Sequence, residues 1–416
     1  MTTVAPDAGA TPALKPYLRL LTATQFAFNT GFYAVLPYLA AHLGDGLGMA
    51  GWLVGLVLGL RTFSQQGLFV VGGALTDRYG PRPVVLAGCV LRIAGFCWLA
   101  QAGSTATVIG AVLLIGFAAA LFSPAVESET ARAAVAHEAA TGTPRAQVLA
   151  VFSAAGQAGA FLGPLLGSVL LLLGGDFRTA CLAGAVVFVG VLAGHARLMP
   201  HRPRRPRTPR DGALLPREVF ANRPFLVLCL VYSSYLVSYN QLYLALPAEV
   251  ERATGSQSAL GGLFALSSLL VVVAQLPLTR WSAHRLAPRT ALVAGLAVVA
   301  TGFAAVPLAP DRPAGLLPAA ALVILLTLGQ MLLVPAARGL VPDLVDDHRL
   351  GLATGALSSV SGLAVLVGSA ATGTLLDTPG AVLWTVLAAV PLTGAALALT
   401  LSGGQRTPEP VTTVTD

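Results

Sequence analysis

Charge is what this chain most conspicuously lacks. Only 10% of its 416 residues are charged, 55% are hydrophobic, and the mean hydropathy is +0.77. No water-soluble domain of this size hides so much apolar side chain, so soluble globular and disordered classes are both excluded. Lysine is nearly missing: 24 arginines accompany the single Lys15, the bias of a GC-rich bacterial genome. The four cysteines, Cys89, Cys97, Cys181 and Cys229, all fall in apolar runs. They read as small buried side chains, not as disulfides or metal ligands. There is no G-x-x-x-x-G-K-[ST], H-E-x-x-H, G-x-S-x-G or C-x-x-C pattern, so ATP hydrolysis and common hydrolase or redox chemistry find no support. No metal, no organic cofactor and no enzymatic activity are expected.

What is present is a series of long apolar runs. Twelve are long enough to cross a bilayer, which takes roughly 20 apolar residues. They lie at about 18–42, 50–73, 83–101, 107–126, 147–173, 179–198, 224–247, 260–280, 290–308, 316–337, 352–375 and 380–402. The fold class predicted is an all-α polytopic membrane protein with two six-helix halves, 18–198 and 224–402. Tails at 1–17 and 403–416 read as disordered. A basic linker at 199–223, rich in arginine and proline, joins the halves. The first run carries Gln25, Asn29 and Tyr33 and is a membrane helix, not a cleaved signal peptide.

Orientation follows from the distribution of arginine. With both termini cytoplasmic, 20 of the 25 basic residues face the cytoplasm, three face outward, and Arg61 and Arg92 lie within spans. That asymmetry satisfies the positive-inside rule. It also explains the basic linker as a contact for anionic lipid headgroups, with no nucleic acid implied. An internal repeat supports two halves. Shifted by about 207 residues, 72–96 overlies 279–303, matching Arg78 to Arg285, Pro81 to Pro288, Arg82 to Arg289 and Gly95-Phe96 to Gly302-Phe303. Parallel repeats of this kind hold substrate between the halves near the bilayer midplane.

The most specific stretch is Gly72-Gly73-Ala74-Leu75-Thr76-Asp77-Arg78-Tyr79-Gly80-Pro81-Arg82-Pro83 between the second and third spans. So few residues between two spans demand a hairpin, with Gly80 and Pro81 at the turn. It resembles the G-x-L-x-D-R-x-G-R-K loop of the major facilitator superfamily, matching at Gly73, Leu75, Asp77, Arg78 and Gly80, with Arg82 where the basic pair falls. The resemblance implies a gating latch, with Asp77 against the start of the eleventh span near Gly351 to Gly355. In the fifth span Gly159, Gly163, Pro164 and Gly167 resemble the G-x-x-x-G-P-x-x-G signature of drug exporters. The run Gly59 to Gly67, the latch and Leu91 to Phe96 look most like the MdtH-type multidrug-resistance branch of twelve-helix drug:proton antiporters.

Coupling and substrate residues are the remaining question. Exporters of this family carry an arginine in the fourth span, four residues before a glycine; here that position holds Val112. Arg61, roughly 20 Å along its helix from the inner end, is the candidate to replace it. No Asp or Glu lies at mid-span, and Glu127 and Glu129, just past Pro124, are the deepest acids. Gln25, Asn29 and Tyr33 share one helix face, and Tyr232, Tyr235, Tyr239 and Asn240 mirror them in the seventh span as candidates to line a mixed-ligand cavity. The reading is a secondary-active exporter of the bacterial cytoplasmic membrane. It would use the proton gradient to expel drugs or amphipathic small molecules, and a monomer is expected. An importer or facilitator of a small metabolite, anionic if Arg61 and Arg92 face it, is the alternative, and a non-transporting membrane sensor the third.

Overall fold

A computed structural model describes residues 11–143, 145–173, 176–200, 222–255, 257–307, 316–345, 350–376, 378 and 380–401. Among these residues there is no strand. The first span comprises α1 (Thr11–Tyr33) and α2 (Leu36–Ala41), followed by a π-turn, His42–Gly46. The second comprises α3 (Gly51–Gln66) and α4 (Phe69–Tyr79). Next come α5 (Pro81–Leu99), α6 (Thr105–Thr141), α7 (Arg145–Leu172) and α8 (Phe177–Leu198). In the second half α9 (Arg223–Asn240) and α10 (Ala245–Thr254) share a span. They are followed by α11 (Leu260–Arg285), α12 (Pro288–Ala305), α13 (Leu317–Leu344), α14 (Leu350–Leu375) and α15 (Gly380–Leu399).

Eleven helical segments among the described residues are long and apolar enough to cross a membrane. The first predicted span is not among them, because Lys15, Arg19, Gln25 and Asn29 dilute its hydropathy. It still packs as part of the bundle, against α6, α7 and α8. Several helices outrun the predicted spans. α6 continues to Thr141, past Pro124, because its Ala-rich continuation has high helix propensity. The linker segment 201–221, its predicted lipid contact and the C-terminal tail lie outside the described residues.

Alternating helix direction defines two ends. Tyr79, Thr141, Arg285 and Leu344 mark one, called here the basic end; Gly51, Leu172 and Leu375 mark the far end. At the basic end the predicted hairpin is present. Gly80 takes φ +84°, a conformation that strains any residue with a Cβ, and Pro81 starts α5 at a position needing no N–H donor. The internal repeat also appears in the packing. Gly88 and Gly95 of α5 sit against α6, and their repeat partners Gly295 and Gly302 of α12 sit against α13.

The two halves meet along α3 and α14. Small residues let the backbones approach closely, as membrane helices do where dispersion replaces hydrophobic driving force. A Cβ at Gly59 would lie 2.8 Å from the Leu366 Cα, and one at Gly55 would lie 2.8 Å from the Ser369 carbonyl carbon. Hydrogen bonds cross the same seam. The Thr62 hydroxyl donates across it to Asn240 Oδ1 (3.1 Å) and the Ser359 hydroxyl to the Gly67 carbonyl (2.9 Å), while within the second half Asn240 Nδ2 donates to Ser369 Oγ (2.8 Å). A second seam joins α7 to α11, where the Ser168 hydroxyl reaches the Ser258 carbonyl at 3.3 Å. These contacts occupy the far end and the middle of the bundle.

Candidate functional site

Among the described residues three spans are interrupted, and two of the interruptions are related by the repeat. α1 breaks at Ala34 and Val35, before Pro37; α9 breaks at Gln241 to Leu244. Interrupted helices at corresponding positions mark transporter binding sites, because freed backbone groups must line a cavity or be buried in protein. A cavity of about 470 Å³ begins beside these breaks, at Tyr33 and Tyr239, and extends toward the basic end past Glu127, Leu149 and Arg338. The Thr62–Asn240 hydrogen bond lies at its head, and the Ser168–Ser258 hydrogen bond lies beyond it toward the far end. Gln25, Asn29, Gln157 and Gln330 supply amides, Thr130, Ser153, Ser267 and Ser268 supply hydroxyls, and Phe152 and Phe264 supply aromatic walls.

Of the predicted lining residues, Gln25, Asn29, Tyr33 and Tyr239 border this cavity, and so does Glu127, a residue predicted for coupling. Tyr232, Tyr235 and Asn240 do not. Tyr235 is buried in the C-terminal core with Leu228 and Leu357, Tyr232 packs against that core, and Asn240 is used in the seam. The tyrosines form a ladder along α9, with successive centroids 5.6, 5.9 and 6.2 Å apart from Tyr232 to Tyr243, and only its upper rungs approach the cavity.

The coupling candidates separate in the same way. Glu127 on α6 and Arg338 on α13 belong to opposite halves, both project into the cavity, and they attract one another electrostatically. Glu129, one residue pair further along, is instead fully buried. Its carboxylate accepts from the Tyr17 hydroxyl (2.9 Å) and pairs with Arg132 (2.7 Å). Arg61 is buried and is not among the cavity-lining residues. Its guanidinium lies 4.4 Å from the Phe32 ring centroid and donates to Gln65 Oε1 at 2.5 Å. Arg92 lies on the same aromatic cluster, with its guanidinium 4.8 to 5.4 Å from the centroids of Phe28, Phe32, Phe96 and Phe188, and it donates to the Ile115 carbonyl at 2.8 Å. Two buried cations thus share the Phe32 ring, held by π faces and carbonyls. Val112, where the family's arginine was sought, is buried in α6.

The remaining motif residues are structural in their contacts. Gly159, Gly163 and Gly167 lay α7 directly on the first span, and the Pro164 carbonyl accepts from the Tyr38 hydroxyl at 2.8 Å. In the latch, a Cβ at Gly73 would meet nothing within 4 Å, whereas one at Gly72 would run into the backbone of Ala120 of α6. Arg82 donates to the Ala196 carbonyl at 2.6 Å, tying α5 to the end of α8, and Arg78 lies over Tyr79. The side chains of Asp77 and Leu352 lie outside what the structure describes. Arg338, Gln330 and Gln157 escaped the sequence reading. Arg338 looked like one more topology-setting arginine until the fold placed it opposite Glu127.

One pair of acids closes the far end. Asp45, in the π-turn, hydrogen bonds with Glu251 of α10 across the halves. Burial first, then the Glu251 charge and that hydrogen bond, raise the Asp45 carboxyl above its ordinary value. Beside them His42 stacks on Phe177, 4.2 Å between centroids, and burial lowers its pKa.

Two repeated helical halves around a polar cavity, with interrupted helices at its head, define a multi-pass membrane transporter. The chain belongs to the Major Facilitator Superfamily, whose family model matches residues 20–369 and again 228–414. It is 38% identical over 370 residues to an uncharacterised MFS-type transporter of Mycobacterium tuberculosis, covering 86% of this chain and 85% of that one. It is 33% identical over 342 residues to the multidrug resistance protein MdtH of Aeromonas salmonicida, covering 80% and 83%, and 32% identical over 336 residues to MdtH of Escherichia coli K12, covering 78% and 80%. In fold it is similar to a peptide transporter POT solved with sulfate (TM-score 0.76, 16% identity, 92% and 93% covered) and to the nucleoside transporter NupG (TM-score 0.76, 14% identity, 93% and 98% covered).

Proposed function

We propose that this transporter exports amphipathic small molecules from the bacterial cytoplasm in exchange for protons, by rocking its two halves about the cavity. The observation that carries this reading is that Glu127 and Arg338, from opposite halves, line the same cavity and attract one another across it. A carboxylate there attracts the opposing guanidinium, and a proton on it cancels that attraction, so proton occupancy biases how the halves approach. The arginine bias assigns the basic end to the cytoplasm, which makes the described state inward-facing. Export is supported by the relatives named as multidrug resistance proteins. Aromatic walls beside amides and hydroxyls suit ligands of mixed character. The same amides and hydroxyls favour a second reading, import of a hydrophilic metabolite.

The test uses inside-out membrane vesicles with an acid interior, a pH-sensitive dye and a panel of cationic dyes and antibiotics. Substrate-dependent proton release from wild-type vesicles, lost in Glu127→Gln, is expected. Gradient-independent uptake of hydrophilic metabolites, with no response to the panel, would replace export by the second reading.

A further inference from the structure

A second concavity lies on the outer face of the α1–α7 contact, with α1 and α7 between it and the cavity. It measures about 580 Å³ and is lined by Leu18, Ala23 and Phe26 of α1 and by Val148, Val151 and Ala155 of α7, with Thr22 between them and Arg19 at its basic end. From Arg19 to Phe26 it runs about 10 Å along the helix, at 1.5 Å per residue. Val151 is exposed, so the groove is open to its surroundings. At this depth those surroundings are lipid.

The mouth of the groove is charged. Arg19 is exposed, and Lys15, one helical turn nearer the basic end, is exposed on the same side of α1. Neither makes a salt bridge to another described residue. Two cations at headgroup level above an apolar trough reproduce the amphipathy of an anionic phospholipid, and each basic group near a membrane surface adds attraction for such lipids. We propose that the α1–α7 groove is a binding site for one anionic phospholipid, its phosphate held by Lys15 and Arg19 and the head of an acyl chain lying along Leu18, Phe26, Val148 and Val151. This site is separate from the basic linker and independent of what the cavity transports.

The experiment is native mass spectrometry of the full-length, delipidated protein in detergent, titrated with phosphatidylglycerol, phosphatidylcholine or glycerophosphate. A tight single phosphatidylglycerol adduct is expected, with neither phosphatidylcholine nor glycerophosphate matching it. The double variant Lys15→Gln, Arg19→Gln should weaken that adduct about 30-fold. Ala23→Phe, which fills the exposed trough without removing charge, should weaken it comparably while leaving thermal stability in detergent intact. Equal phosphatidylglycerol binding by wild type and both variants would overturn the proposal, as would equal binding of phosphatidylcholine. Glycerophosphate binding as tight as the lipid would reduce the site to a phosphate contact. Photocrosslinking from position 151 to residues 1–10 of the same chain, in native membranes, would assign the groove to the protein's own leader instead.

Discussion

Replacing Gly55 by alanine tests whether the α3–α14 seam sets the conformational equilibrium. The added methyl would sit 2.8 Å from the Ser369 carbonyl carbon and 3.1 Å from the Gly373 Cα, with the Ser369 carbonyl oxygen closer still. Ordinary contact begins near 3.4 Å, so the two backbones must separate by at least about 0.6 Å, and neither is a flexible side chain that can turn away. Overpacking of this kind costs about 1–3 kcal/mol. The clash spans the two halves, so the cost falls only on the state in which the far end is closed. The equilibrium between closed and open far ends should shift by about 5- to 150-fold toward open. Spin labels on Gly44→Cys and Thr254→Cys at the far end, and on Tyr79→Cys and Arg285→Cys at the basic end, would report this by double electron–electron resonance, with the native cysteines replaced. Far-end distances should lengthen while basic-end distances shorten. Gly190→Ala, a position with nothing within 4 Å, is the control. Distance distributions identical to wild type in a folded Gly55→Ala protein would refute the reasoning.

Other perturbations follow from the same contacts. Burial at the closed far end, and then Glu251 facing it, raise the Asp45 carboxyl, so the far-closed state binds a proton there more tightly than the open one. Its contribution to closure is present below the ordinary carboxylate range and is lost as pH on that face rises through the raised value. The same spin-label pairs should show closure favoured by acid, with the dependence flattened in Asp45→Asn and little disturbed by removing nearby Arg252, which pairs with Glu249. Arg92→Lys keeps the charge but loses the planar group packed against four rings, and thermal melting in detergent should report about 1–2 kcal/mol of lost stability; an unchanged melting temperature would show that the rings do not hold it. Glu129→Ala strips the acceptor from Tyr17 and Arg132 and should cost about 1–3 kcal/mol, against about 1 for Tyr17→Phe.

The spans, the Gly80–Pro81 turn and the repeat were legible because each rests on local chemistry: apolar length, a positive φ, a fixed proline. The first span was harder to read by composition, since its polar residues serve the interior while its length serves the membrane. The cavity was half legible. Periodicity placed Gln25, Asn29 and Tyr33 on one face, and that face borders the cavity. The same rule over-extended along α9, because a tyrosine stripe that begins at the cavity descends into a packed core at Tyr235 and Tyr232. Glu127 and Glu129 are two residues apart and so point to different sides of α6, a distinction that periodicity offers only once the neighbouring helices are known. Arg338 could not be found without tertiary structure, since Glu127, which lines the same cavity, lies more than 200 residues away in the sequence.

Two guanidiniums on one Phe32 ring have a consequence for how the chain is made. An arginine near the middle of a helix makes insertion into the bilayer less favourable by about 2.5–3.5 kcal/mol, and both α3 and α5 carry one. The rings of Phe28 and Phe32 belong to α1, which leaves the ribosome before either. The Ile115 carbonyl and the Phe188 ring that complete the surroundings of Arg92 are synthesised later. Integration of α5 is therefore a cooperative event, eased by a first helix already waiting beside the translocon and finished only when α6 and α8 arrive. On this account a defect in α1 would surface as failed insertion of a helix two spans downstream.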